Sequence, residues 1–285
     1  MSERCAEASE SAGESLGATA VTARAWLLVE VAGSWPRDVS SAGTLPAGAR
    51  QAIETWLGET PGARLQFLRR PGRTGRRPLV FVARTEEGLR QLHRFELDEL
   101  DDLVSVDLAE GGEPLDGSLV LVCGHGSRDR CCSLRGTAVF GALSGRLRDE
   151  ELWISSHLGG HRFAANVAVL PAGLQFGRVT PEEAPDLVAR ALAGKIELER
   201  YRGRTCYEPA VQAAERAIRA AAGLDGIDDL ALEAQENGRI GFRTRHGGEW
   251  VAVADESLGP PVPASCGDAA APQRSFAARV VQSPA

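Results

Sequence analysis

Short apolar runs, broken by glycine, proline and charged clusters, set the rhythm of this chain. AWLLVEVAG (25–33) is a continuous apolar run of strand length, the pattern of a buried strand. AGARQAIETWLGE (47–59) places apolar residues at helical spacing and ends at a glycine-containing turn. ARLQFLRRP and RPLVFVART read as two strands of a hairpin joined by an arginine- and glycine-rich loop. LRQLHRFEL is a further strand, and DELDDLVSVDL a short helix or turn running into extended chain. Strand and helix alternate through this half, which marks an α/β arrangement. AEGGEPLDGS (109–118) is the best linker in the chain.

The second half opens on LVLVCGHG, where β-branched and leucine residues end at Cys123 and glycines break the run. SLRGTAVFGALSGRLRD follows as an amphipathic helix. ELWISSH is the next strand and ends at His157, and NVAVLPAGLQFGRV is a strand pair turning at Pro171, Ala172 and Gly173. In TPEEAPDLVARALAG, Thr180 is the expected N-cap, Pro181 the first helical residue, Glu183 the capping-box partner and Gly194 the stop. CYEPAVQAAERAIRAAAG is another helix, and NGRIGFRTRHGGEWVAVAD a hairpin with RHGG as its turn. The order β-α-β-β-β-α is close to a thioredoxin-like half. The expected architecture is therefore α/β. It has a disordered tail over 1–21, an N-terminal α/β domain over 22–113, a thioredoxin-like domain over 114–205, and a small C-terminal helix-plus-hairpin extension over 206–285.

Composition narrows the function classes. No apolar run reaches the roughly 18 residues of a membrane-crossing helix, so no membrane partner is expected. The opening residues have no apolar core flanked by basic residues, and a cytoplasmic location is expected. The net charge is −7, from 32 basic and 39 acidic residues, which argues against nucleic acid as a partner. Lys195 is the only lysine, and the arginines read as GC-rich codon usage. The cluster RRPGRTGRRP (69–78) reads as a solvated hairpin loop.

Cysteine and histidine change the picture more. The six cysteines are Cys5, Cys123, Cys131, Cys132, Cys206 and Cys266, and three fall within ten residues. In a large cytoplasmic chain, such clustering points to metal or redox chemistry before disulfides. Cys5 and Cys266 read as incidental, and Cys206 as a buried structural thiol. Of five histidines, His157 and His161 stand together with Leu-Gly-Gly between them. Gly159 and Gly160 disfavour a helix there and allow positive φ and close backbone approach. Cys123 and Cys132 enclose eight residues at the end of one strand, and the histidines enclose three at the end of the next. Reactive groups collect at the carboxyl ends of strands in α/β sheets, so neighbouring strands would bring all four side chains to one site. Two thiolates and two imidazoles suit zinc or an iron–sulfur cluster, and eight residues is loose for a zinc knuckle. No convincing carboxylate pair for glycoside hydrolysis is present.

CGHGSRDRCC, SSHLGGHRFAANVAVLPAG and GRV, with YRGRTCYEP beyond them, resemble the sucrase/ferredoxin-like family. The resemblance runs from about Leu119 to Tyr207 and more weakly over the N-terminal half; Gly124 stands where members usually carry threonine. It implies a thioredoxin-like ferredoxin core with a 2Fe-2S cluster, Cys123 and Cys132 on one iron and His157 and His161 on the other. Cys131 is the alternate to Cys132. The function so implied is a proton-coupled electron-transfer protein, more a carrier than an enzyme, with a flavin reductase or another redox protein as partner. Neutral imidazoles in place of thiolates would raise its potential above that of an all-cysteine cluster. Arg128, Asp129 and Arg162 flank the ligands; Arg128 or Arg162 either stabilises the reduced state or hydrogen-bonds a sulfide, or the flanking charges form loop salt bridges. His125 is a further titrating group or a turn histidine, and Trp153 and Phe163 either shield the site or pack in the core. The competing readings are a structural zinc-binding interaction protein and a thioredoxin-like thiol oxidoreductase. For the latter, adjacent Cys131 and Cys132 make a poor dithiol pair.

Overall fold

A computed structural model describes residues 4–39, 43, 45–73, 75–148, 150–236 and 238–284. Residues 1–3 of the expected tail and Thr74 of the arginine loop lie outside the described residues. Helix α1 (Cys5–Ser11) precedes β1 (Ala25–Glu30), α2 (Ala47–Glu59), β2 (Ala63–Arg69), β3 (Leu79–Glu86), β4 (Leu89–Glu96) and the short β5 (Glu113–Pro114). Then come β6 (Leu119–Cys123), α3 (Arg130–Leu143), β7 (Leu152–Ser155), β8 (Val167–Leu170), β9 (Leu174–Phe176), α4 (Ala184–Leu192) and β10 (Tyr201–Arg204). Helix α5 (Pro209–Ala222) leads to β11 (Leu230–Glu236), β12 (Arg239–Thr244), β13 (Glu249–Pro263) and β14 (Ala270–Gln282).

The fold is mixed α/β. Ten strands form one sheet in the order β10-β9-β8-β6-β7-β2-β1-β3-β4-β5, and β11 to β14 form a second. The segments 22–113 and 114–205 meet inside the large sheet, where β2 and β7 pair antiparallel at Leu68–Ser155 and Arg69–Ile154. Side chains alternate between faces along a strand. Val120 and Val122 of β6 therefore pack with Val139, Phe140 and Leu143 of α3 and with α4. Leu119, Leu121 and Cys123 face the other way, beside Trp26, Phe81 and Trp153. Among the described residues, no helix is long and apolar enough to cross a membrane.

Several expectations are corrected. β2 and β3 are not a hairpin: β1 lies between them, parallel to β2 and antiparallel to β3. β1 is buried along its length and needs a partner on each edge, which a β2–β3 hairpin would deny it. The N-terminal segment is not a disordered tail, since α1 buries Cys5 and Ala6 against Cys131 and Ala164. Its buried residues are small, so they show no apolar stripe. α4 begins at Ala184, although the capping box expected of Thr180 and Glu183 forms, each side chain accepting from the other's backbone N–H (2.8 and 3.4 Å). The Pro/Ala-rich C-terminus forms most of the long β13–β14 hairpin.

Candidate metal centre

The expected neighbourhood exists. β6 and β7 run parallel, with Cys123 opposite Ser155, so the loops after both strands leave from one end of the sheet. Asp129 caps α3, its Oδ1 accepting the Cys131 N–H at 2.8 Å. The helix begins at Arg130, ahead of the expected start, and takes Cys131 and Cys132 into its first turn. Adjacent helical residues are about 100° apart around the axis, and the two thiols diverge accordingly. Cys132 joins Cys123, whereas Cys131 joins Cys5 and Cys266. Gly136 makes this possible: a Cβ there would overlap the Cys123 carbonyl, so only glycine lets α3 lie on the end of β6.

One ligand atom from each of Cys123, Cys132 and His157 lies within 4.8 Å of the others. Nδ1 of His161 is 3.6 Å from Cys132 Sγ, and the two imidazoles stack with centroids 3.8 Å apart. The loop between them has the expected backbone, with φ of 85° at Gly159 and 67° at Gly160. A Cβ on Gly160 would sit 2.7 Å from Phe163 and 2.8 Å from Arg202.

Burial and hydrogen bonding set the charge of these side chains. Burial drives the His157 imidazole down to about 2, helped by His161 and Arg64, and the His161 imidazole down to about 4. Both rings are therefore neutral at pH 7. The Cys123 thiol is lowered by the hydrogen bond from Cys132 and by the N–H groups of Leu158 and His125, and Cys132, the donor, is raised. Nδ1 of His157 is buried and has no hydrogen-bond partner among the described residues. A cavity of about 310 Å³, lined by Arg37, Arg64, His125 and Arg128 among others, reaches His157 from outside.

The flanking residues sort cleanly. His125 is buried; its Nε2 meets the Pro36 carbonyl at 2.9 Å and its Nδ1 accepts the His157 N–H at 3.2 Å. It positions the histidine loop. Arg162 pairs with Glu14 at 2.7 Å, a salt bridge to the N-terminal segment, while Arg128 lines the cavity. Trp153 is core, its indole N–H donating to the Glu150 carbonyl. Phe163 is buried beneath the guanidinium groups of Arg162, Arg178 and Arg202. Cys206 belongs to the α5 core, and burial pushes its thiol up to about 11. Two contributors were missed from sequence. Arg202, 2 % exposed, donates to the Gly159 carbonyl (2.9 Å) and to Asn166 Oδ1 (2.7 Å), and burial lowers it to about 9. Its only signal was an arginine within YRGRTCYEP. The other is the Cys5–Cys131–Cys266 grouping, which no local spacing announces.

Residues 16–203 match the sequence profile of the family described as Sucrase/ferredoxin-like. "Altered inheritance of mitochondria protein 32" of Eremothecium gossypii is 37% identical over 106 residues, covering 32% of this chain and 34% of that protein. The protein of the same name from Debaryomyces hansenii is 34% identical over 95 residues, covering 30% of this chain and 35% of its own length. The match thus spans about a third of these relatives. No solved structure matches. These findings correct the expected iron–sulfur electron carrier. The relatives are named for mitochondrial inheritance and not for electron transfer, and the donors form a compact grouping of three with His161 beside it.

Proposed function

The chain belongs to the sucrase/ferredoxin-like family, and on that premise we propose that it is a metal-binding protein. Cys123, Cys132, His157 and His161 would hold a borderline-soft transition metal of the zinc class beyond the ends of β6 and β7. Thiolates and neutral imidazoles are the donors such metals favour. His157 Nδ1 carries the reading. It is a buried ring nitrogen with no partner among the described residues, on a residue grouped within 4.8 Å of two cysteine sulfurs. A polar atom left so costs about 1–3 kcal/mol, a cost that a bound ion removes.

Metal analysis of the full chain, purified without chelators, tests this. Cys132→Ser and His157→Ala are each expected to carry one metal centre less than the parent, with unchanged far-UV circular dichroism. Equal metal content in parent and variants overturns the proposal.

A further inference from the structure

Cys5, Cys131, Cys266 and Asp129 form a second grouping, each offering a ligand atom within 4.8 Å of the others. The three sulfurs make a near-equilateral triangle: Cys5 to Cys131 is 3.7 Å, Cys131 to Cys266 is 3.4 Å and Cys266 to Cys5 is 3.6 Å. Thiolates about 2.3 Å from a tetrahedral zinc ion lie about 3.8 Å apart. Asp129 Oδ1 completes the figure at 3.3 Å from Cys266 Sγ and 3.7 Å from Cys5 Sγ. Oδ1 also accepts the Cys131 N–H (2.8 Å), and the other oxygen accepts from Ser265 Oγ (2.8 Å) and the Cys266 N–H (2.7 Å). The carboxylate is thus held in place with Oδ1 turned to the thiols. Cys5 and Cys131 are buried and Cys266 is partly exposed, which leaves an entry side for an ion.

We propose that Cys5, Cys131, Cys266 and Asp129 are a second, structural zinc site. It is distinct from the Cys123 grouping and does not depend on it. Three thiolates with a carboxylate are a closed tetrahedral set for a divalent ion of this kind. Binding releases the thiol protons to solvent, and no redox change is involved. The ligands come from α1, from the first turn of α3 and from the turn between β13 and β14. A bound ion would tie both ends of the chain to the helix that carries Cys132. Cys5 and Cys266 lie outside residues 16–203, so half of this ligand set is beyond the family match.

Zinc per chain is measured on the full-length protein and on Cys5→Ser, Cys266→Ser and Cys123→Ser variants. The first two are expected to bind zinc at this site at least tenfold more weakly than the parent, and Cys123→Ser to retain it. The parent itself supplies a check that needs no variant. Maleimide labelling read by peptide mass spectrometry is expected to show Cys5, Cys131 and Cys266 protected together with zinc and released together by chelator, with Cys206 unmoved. Labelling of the three that ignores the chelator overturns the site. So does a zinc content of Cys5→Ser and Cys266→Ser equal to the parent's, or a disulfide between any two of the three.

Discussion

Cys131 and Cys132 are neighbours in sequence yet point from one helix turn into two different groupings. The Cys123–Cys132–His157–His161 group is local in topology. Its residues leave the ends of two paired strands, and its rings are neutral because they are buried. The Cys5–Cys131–Cys266–Asp129 group is assembled from residues 5, 131 and 266, and a carboxylate sits among its thiols. The first combines soft and borderline donors beside a cavity that reaches His157; the second lies where two distant chain segments meet α3, with Cys266 partly exposed.

The largest effect comes from breaking what the two groups share. Gly136 lets α3 touch β6, and a methyl group there would collide with the Cys123 carbonyl. Overpacking of this kind costs about 3 kcal/mol. Gly136→Ala is therefore expected to lower the urea unfolding midpoint accordingly and to reduce metal content at both groups together. Loss at one group with the other intact would show that the helix end does not couple them.

Acid isolates the histidine pair, whereas lowered thiols of both groups, Cys123 and Cys131, act at higher pH. His157 and His161 fall from an ordinary 6.5 to about 2 and about 4. Below pH 6.5 the unfolded chain takes up protons that the folded chain refuses, so stability falls with acid. Two such groups lose about 2 kcal/mol between pH 6.5 and 5.5. Cys131, brought down from 9.0 to about 6, first by its hydrogen bond from Cys5, acts higher. Its folded form sheds a proton the unfolded thiol keeps, which adds stability as pH rises from 6 towards 9. Urea unfolding of metal-free protein across pH 4.5 to 9 reads both windows. His157→Gln with His161→Gln is expected to flatten the acid limb and leave the alkaline rise.

This contrast also explains what could be read before the fold was known. The histidine pair, the glycines between them and the strand ends that carry them were legible because spacing and period are local signals. The order of strands was not, since β1 sits between β2 and β3 through a crossover that apolar runs do not record. Nor was the role of Cys5 or Cys266. Small residues buried by tertiary contact leave no periodic trace, and a pairing 261 residues apart has no spacing to recognise. The start of α3 at Arg130 rested on Asp129 as its cap, and that one-turn difference decides which way Cys131 and Cys132 point.

His125 allows the mildest perturbation, confined to one group. His125 spans the Pro36 carbonyl and the His157 N–H, and it touches neither Cys131 nor Cys266 in any hydrogen bond described. His125→Phe keeps an aromatic ring against Trp35, whose own ring lies 5.6 Å away in an edge contact. It removes the acceptor, leaving the His157 N–H unmet at a cost of about 1 kcal/mol. Losing a residue that orients a ligand typically weakens metal binding about 10- to 100-fold. Competition with a chromophoric chelator is therefore expected to show a loss of that size at the Cys123 group and unchanged zinc at the Cys5 group. Equal weakening at both would mean that His125 acts through general stability and not through the loop that it holds.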